Sequence, residues 1–150
     1  MSTAPAPDPQ FRERVRASFE RQAFMATLGA TLERIEPGEV DIALPHHASL
    51  VQQHGFVHAG ALASVLDSAC GYAAFSLMPA DAGVLSIEFK VNLLEPAKGE
   101  RFVARGRVLR AGRTIFVCRA DAVALDAGRE IVVATMQGTM MCVRGRAIAG

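Results

Sequence analysis

The stretch Gln52 to Met78, QQHGFVHAGALASVLDSACGYAAFSLM, constrains the fold more than any other part of the chain. It opens as a polar turn carrying His54, Gly55 and His58, then runs for about five helical turns of mostly Ala, Leu, Val, Cys and Phe. A helix apolar around most of its circumference belongs inside a fold. One line along it breaks that pattern: Gly60, Ser64, Asp67, Ser68 and Gly71 recur at i, i+4, i+7, i+8 and i+11. A carboxylate on a narrow small-residue line of a buried helix is costly unless something uses it. Asp67 is therefore the first candidate for a functional residue.

The flanking sequence supplies what would enclose such a helix. Residues 1–9, MSTAPAPDP, are rich in Pro and Ala and are expected to be disordered, leaving 10–150 as a single domain. From Phe11 to about Leu28 the pattern is an amphipathic helix, with Phe11, Val15, Ser18, Phe19 and Gln22 on one side, lying over the outside of the domain. Thr31 to Leu44 reads as strand broken at Pro37-Gly38, with Val40, Ile42 and Leu44 alternating with Asp41 and Ala43. Val84 to Leu94 alternates cleanly, placing Ile87, Phe89, Val91 and Leu93 on one face and Ser86, Glu88, Lys90 and Asn92 on the other. Strands over Phe102–Leu109, Thr114–Leu125 and Ile131–Val143 follow, joined by turns at 110–113 and 126–128. The last two are apolar on both faces over much of their length and suit central positions. Short turns make antiparallel neighbours, so one buried helix and one antiparallel sheet must cover each other in an α+β domain.

The central stretch also resembles the signature of hotdog-fold acyl-CoA thioesterases of the phenylacetate-pathway, PaaI-like group. Their pattern is Asn-x-x-Gly-x-x-His-Gly-Gly, with an acidic residue eight positions beyond the first glycine of the final pair. Gly55, His58, Gly60 and Asp67 fall on it, while Gln52 stands in place of Asn and Ala59 in place of Gly. The resemblance covers roughly residues 30–143. It implies a hotdog fold, a long central helix wrapped by a curved antiparallel sheet, here with an extra N-terminal helix. It further implies hydrolysis of an acyl-CoA thioester at active sites shared within a homodimer, or within a dimer of dimers.

With 150 residues and 51% hydrophobic content, one well-filled domain is expected. A net charge of +1 argues against a general nucleic-acid binder. The basic residues are nevertheless uneven: Arg101, Arg105, Arg107, Arg110, Arg113 and Arg119 follow one another with no acid between them. Such a run is either a solvated strand face or a site for the phosphates of coenzyme A, with Arg110 and Arg113 at the hairpin as its centre. Cys70, Cys118 and Cys142 are odd in number, widely spaced and set in apolar runs, which suits small buried hydrophobes in a reducing cytoplasm. No basic-then-apolar leader and no membrane span are expected. His54 and His58 have the i, i+4 spacing of metal ligands, but the glycine and loop between them speak against a metal. No cofactor is expected beyond the coenzyme A of the substrate itself.

The chemistry follows from the helix start. Its first N–H groups are unpaired and carry partial positive charge, and Gly55, Ala59 and Gly60 are small enough to let a carbonyl approach. That place stabilises the oxyanion formed when a thioester is attacked. Asp67 then acts as nucleophile or as the base that activates water. Eight residues of α-helix separate Ala59 from Asp67, about 12 Å along the axis. One carbonyl cannot reach both in one chain, so a shared site between two chains is required if both act. His58 at a helix start reads as a cap or packing residue, and the resemblance gives it a supporting role at the carbonyl. Gln52 would replace the family's Asn in holding water or carboxylate. Ser86 matches the region where the family carries a hydroxyl near the acid, and reads equally as a solvent-facing strand serine. Tyr72, Phe75 and Met78 either line an acyl pocket or are plain core. Two other functions fit the fold: a non-catalytic acyl-CoA binding module, in which Asp67 has no purpose, and a hydratase, which uses a differently spaced acid and histidine.

Overall fold

The computed structural model describes residues 5–145 and 148. In chain order these form α1 (Phe11–Arg21), α2 (Ala23–Leu28), β1 (Thr31–Glu36), β2 (Glu39–Pro45), a 3-10 turn (Ala48–Leu50), α3 (Ala59–Phe75), β3 (Ala82–Leu93), β4 (Arg101–Ala111), β5 (Ile115–Asp126) and β6 (Arg129–Arg144). The strands make one antiparallel sheet in the order β1-β2-β4-β5-β6-β3. Both strands expected to be central, β5 and β6, are internal. The sheet curls about α3, which packs against β2, β3, β4, β5 and β6, the hotdog arrangement. None of the helices among the described residues is long and apolar enough to cross a membrane.

Helix α3 earns its burial on all but one face. Leu62, Val65, Leu66, Ala69, Cys70 and Phe75 meet Ile42, Leu44, Phe102, Ala104 and Met136 in one continuous core. On the small-residue line Gly60 is exposed and Ser64, Asp67 and Ser68 stay half-buried, whereas Gly71 is buried, so the line up to Ser68 is the helix face that the single chain leaves open. At Gly106 of β4 the sheet comes against the helix backbone. A Cβ there would stand 2.4 Å from the Ala69 carbonyl oxygen, so only glycine lets this strand touch the helix backbone.

The far end of α3 is held by Arg14. Its guanidinium donates to the carbonyls of Phe75, Met78 and Pro79, lies 4.2 Å over the Phe75 ring, and pairs with Asp8 at 2.8 Å. A cation satisfying the last carbonyls of a helix also complements its dipole. At the other end of this contact Asp8 is buried, and its other carboxylate oxygen accepts the Gln10 N–H. Residues 1–4 lie outside the described residues.

The single N-terminal helix expected over Phe11–Leu28 is two helices, broken at Gln22, whose backbone is extended. In one continuous helix Leu28 would point half a turn away from Phe19. The break lets Phe11, Val15 and Phe19 of α1 and Met25 and Leu28 of α2 reach the same core.

Strand β3 departs furthest from expectation. A bulge between Ser86 and Glu88 inserts Ile87 as an extra residue. Ser86 then pairs with Met140, while Phe89, Val91 and Leu93 pair with Gly138, Met136 and Ala134. Those four β6 partners alternate on the side facing α3, so Ser86 shares a face with Phe89, Val91 and Leu93 instead of opposing them. β3 is also an edge strand, and Leu85, Ile87 and Phe89 are exposed in one chain, at 49%, 52% and 44%.

Candidate active site

The turn before α3 is built on its own hydrogen bonds. The Gln52 side-chain oxygen accepts the His54 N–H at 2.5 Å and the Phe56 N–H at 3.3 Å, while the Gln52 N–H donates to the Phe56 carbonyl. Gly55, at φ 85°, makes the reversal inside this loop. The Val57 and His58 N–H groups donate to the carbonyls of Ala97 and Leu50, fixing where the helix begins. The Gln52 side-chain oxygen thus holds the loop's shape.

His58 is the N-cap. Its Nδ1 accepts the Gly60 N–H at 2.8 Å, and its carbonyl accepts the Ala61 and Leu62 N–H groups at 3.0 and 3.3 Å. The capping reading of His58 holds. The consequence for the helix start is selective: Gly60, Ala61 and Leu62 have their N–H groups occupied, whereas that of Ala59 has no partner among the described residues. Ala59 sits in the wall of a cavity of about 560 Å³ shared with Gln52, Phe56, His58, Leu62 and Leu93.

Asp67 lies elsewhere. The Ser86 hydroxyl donates to its carboxylate at 2.7 Å and lies 3.3 Å from the Met140 sulfur. Burial pushes the Asp67 carboxyl above the usual range, and the Ser86 hydrogen bond opposes it. The Ile87 bulge is what aims Ser86 at this carboxylate. Around the pair is a second cavity, about 170 Å³, lined among others by Ser18, Gln22, Ser68 and Tyr72. Tyr72 stands edge-on to Phe19 and Phe75, with its hydroxyl 3.3 Å from that of Ser18. Phe75 and Met78, the other two residues weighed for an acyl pocket, are fully buried core. The two cavities have no lining residue in common. Within one chain the helix start and the carboxylate remain apart, as the helix rise requires.

Four of the six arginines of the run have acidic partners. Arg101 pairs with Glu33, Arg105 with both oxygens of Glu130, and Arg107 and Arg119 with Asp121. The acids come from other parts of the sheet: Glu33 from β1, Glu130 from β6, and Asp121 from β5, two residues beyond Arg119. Thr135 also donates to Asp121; burial raises that carboxyl, but this hydrogen bond and the two arginines outweigh it and hold it low. Arg110 and Arg113, at the β4–β5 hairpin, are exposed and have no acidic partner among the described residues. His46 and His47 are surface residues, His47 capping the 3-10 turn through the Ser49 N–H.

Two lining residues of the Asp67 cavity, Ser18 and Gln22, carried only the signal of facing inward on the N-terminal helix. Nothing local pointed them at Asp67.

Comparison with known proteins identifies the family and the fold. The family model described as the thioesterase superfamily matches residues 54–131. A thioesterase family protein from Silicibacter pomeroyi, solved by crystallography, is 52% identical with a TM-score of 0.89, over 90% of this chain and 99% of that one. The PaaI protein of the Escherichia coli phenylacetic acid degradation operon, at 20% identity, shares the fold, with a TM-score of 0.82 over 91% of this chain and 95% of that one. A curated relative from Escherichia coli, the medium/long-chain acyl-CoA thioesterase YigI, is 29% identical over 79% of this chain and 84% of its own length. The chain belongs to the thioesterase superfamily and is a thioester hydrolase of the hotdog fold.

Proposed function

We propose that the protein hydrolyses acyl-CoA thioesters at sites each built from the α3 start of one chain and Asp67 of a second. The observation that carries this is a half-buried carboxylate, held by the Ser86 hydroxyl and opening on a cavity, with an unpartnered Ala59 N–H one helix segment away. The thioester carbonyl accepts the Ala59 N–H, which draws charge onto its oxygen as the carbon is attacked. Asp67 either attacks that carbon, giving a mixed anhydride that water then cleaves, or takes the proton of the attacking water. Both routes consume one water and release a carboxylic acid and the free thiol of coenzyme A. His58 supports the oxyanion site by occupying the Gly60 N–H and keeping the turn in place.

The apolar edge of β3, with Leu85, Ile87 and Phe89 exposed, supports pairing with a second copy, because a single chain leaves this surface in water. The acyl-CoA assignment draws on the YigI relative and on Arg110 and Arg113, two cations free for phosphate. No cofactor enters the reaction. The buried thiols Cys70, Cys118 and Cys142 suit a reducing cytoplasm.

The test is release of free thiol from a panel of acyl-CoAs by the wild type and by Asp67→Asn. The amide can neither attack nor take a proton, so kcat should fall at least ~10²-fold while the variant still folds. Activity within a few-fold of wild type would remove Asp67 from the reaction.

A further inference from the structure

The cavity beside Asp67 has a composition that an alkyl binding pocket does not need. Beside the apolar Val84 and Ile148, it carries hydroxyl and amide groups from two helices: Ser18 and Gln22 at the end of α1, and Ser68, next to the carboxylate, and Tyr72, about one and a half turns further along α3. These groups are arranged in pairs across the helix interface. The Ser68 hydroxyl donates to the Gln22 side-chain oxygen at 3.1 Å, and the Ser18 and Tyr72 hydroxyls are 3.3 Å apart. The first pair orients the Gln22 amide and leaves its nitrogen, a donor, without a partner among the described residues. The break after Arg21 sets Gln22 in this position, since its extended backbone ends α1 at the cavity.

At about 170 Å³ the cavity is close to one that holds a single benzene, about 150 Å³. The cavity opens towards solvent and the second chain of the proposed site, so polarity and not length is its selective property: an alkyl group there would cover the Gln22 donor without replacing its water. A site built around a hydrogen-bonding group rejects the analogue lacking that group far more strongly than an apolar pocket rejects an extra methylene. The cavity at the α3 start mixes Phe56, Leu62 and Leu93 with Gln52, Gln53, His58 and Glu95, is larger, and in the shared site is the opposite wall along which an acyl chain can lie.

We infer that α1 sets the acyl specificity of this enzyme. Gln22, oriented by Ser68 and backed by the Ser18–Tyr72 pair, selects acyl groups carrying a hydroxyl or oxo oxygen over plain alkyl chains. The inference rests on the thioesterase site proposed above and adds the class of acyl group it takes.

Free-thiol release is measured with hydroxybutanoyl-CoA, butanoyl-CoA and decanoyl-CoA. Wild type should favour hydroxybutanoyl-CoA over both others by at least ~10-fold in kcat/KM. Gln22→Leu should erase the preference over butanoyl-CoA, mainly through KM for the hydroxylated substrate. Ser68→Ala, which releases the Gln22 amide, should reduce it in the same direction. Circular dichroism establishes which variants fold, and either folded variant suffices to read the ratio. Preference of the wild type for decanoyl-CoA, or a ratio unchanged in the folded variants, overturns the assignment and places the acyl chain in the cavity at the α3 start. Failure to cleave any of the three, or any longer or aromatic acyl-CoA, overturns the thioesterase site itself and this inference with it.

Discussion

Burial and a hydrogen bond pull the Asp67 carboxyl in opposite directions, and burial is the larger effect. A carboxyl whose folded value lies above its ordinary 3.8 binds more protons in the folded state between those two values, so stability falls there as pH rises. The penalty is absent below pH 3.8, grows as pH rises through the raised value, and is constant above it. Asp67→Asn removes it. Thermal melts should therefore find the variant equal to wild type under strong acid and at least as stable at neutral pH. The Ser86 bond has its own signature. Ser86→Ala withdraws the group that favours the ionised form, so the acid limb of the kcat/KM profile should move to higher pH, and Ser86→Thr should restore it. A serine that merely packs would leave the limb in place.

Gly106 and the β4–β5 hairpin carry different burdens at the scale of elements. The strand meets α3 backbone to backbone at Gly106, where an added methyl has a carbonyl oxygen 2.4 Å away and nothing flexible to displace. Gly106→Ala should cost about 1–3 kcal/mol, the range for overpacking a core, and lower the denaturant midpoint with an unchanged slope. The hairpin, by contrast, is a surface feature whose Arg110 and Arg113 lack the acids that neutralise their four neighbours. Replacing both by Ala should raise KM for acyl-CoA with little change in kcat, because phosphate contacts hold ground and transition states alike. The effect should shrink at high salt. An unchanged KM at low salt would return the hairpin to ordinary solvated surface.

At the scale of the whole molecule, the prediction concerns how many chains make one site. A two-fold dimer with its α3 helices side by side and antiparallel sets each Asp67 opposite the partner's helix start and makes two equivalent sites. Co-expressed Asp67→Asn and Ala59→Trp chains, each inactive alone, should then regain activity. Each mixed dimer holds one site that joins an intact Asp67 to an intact helix start. Random mixing gives about half mixed dimers, so roughly a quarter of wild-type activity is expected. Mixed dimers that form yet stay inactive would rule the shared site out.

The residues alone determined the buried helix, its polar line, the antiparallel order implied by short turns, and the separation of Ala59 from Asp67. Each of these follows from a local period or from the rise of a single helix, and so is written in consecutive residues. The His58 turn was legible for the same reason, since a cap acts within two residues of itself. Other features depended on contacts between distant segments. Period-two alternation placed Ser86 away from Phe89; the bulge at Ile87, which arises only in pairing with β6, brought it to Asp67. Glu33 and Glu130, absent from the arginine run in sequence, reach Arg101 and Arg105 across the sheet, because the order of the strands brings β1 and β6 within side-chain reach of β4. Ser18 and Gln22 reach the Asp67 cavity only because α1 ends at Gln22 and docks on α3, more than forty positions away in sequence. Local geometry repeats along the chain and leaves a periodic trace in it; register, docking and chain breaks are settled by which distant surfaces fill each other's space, and leave none.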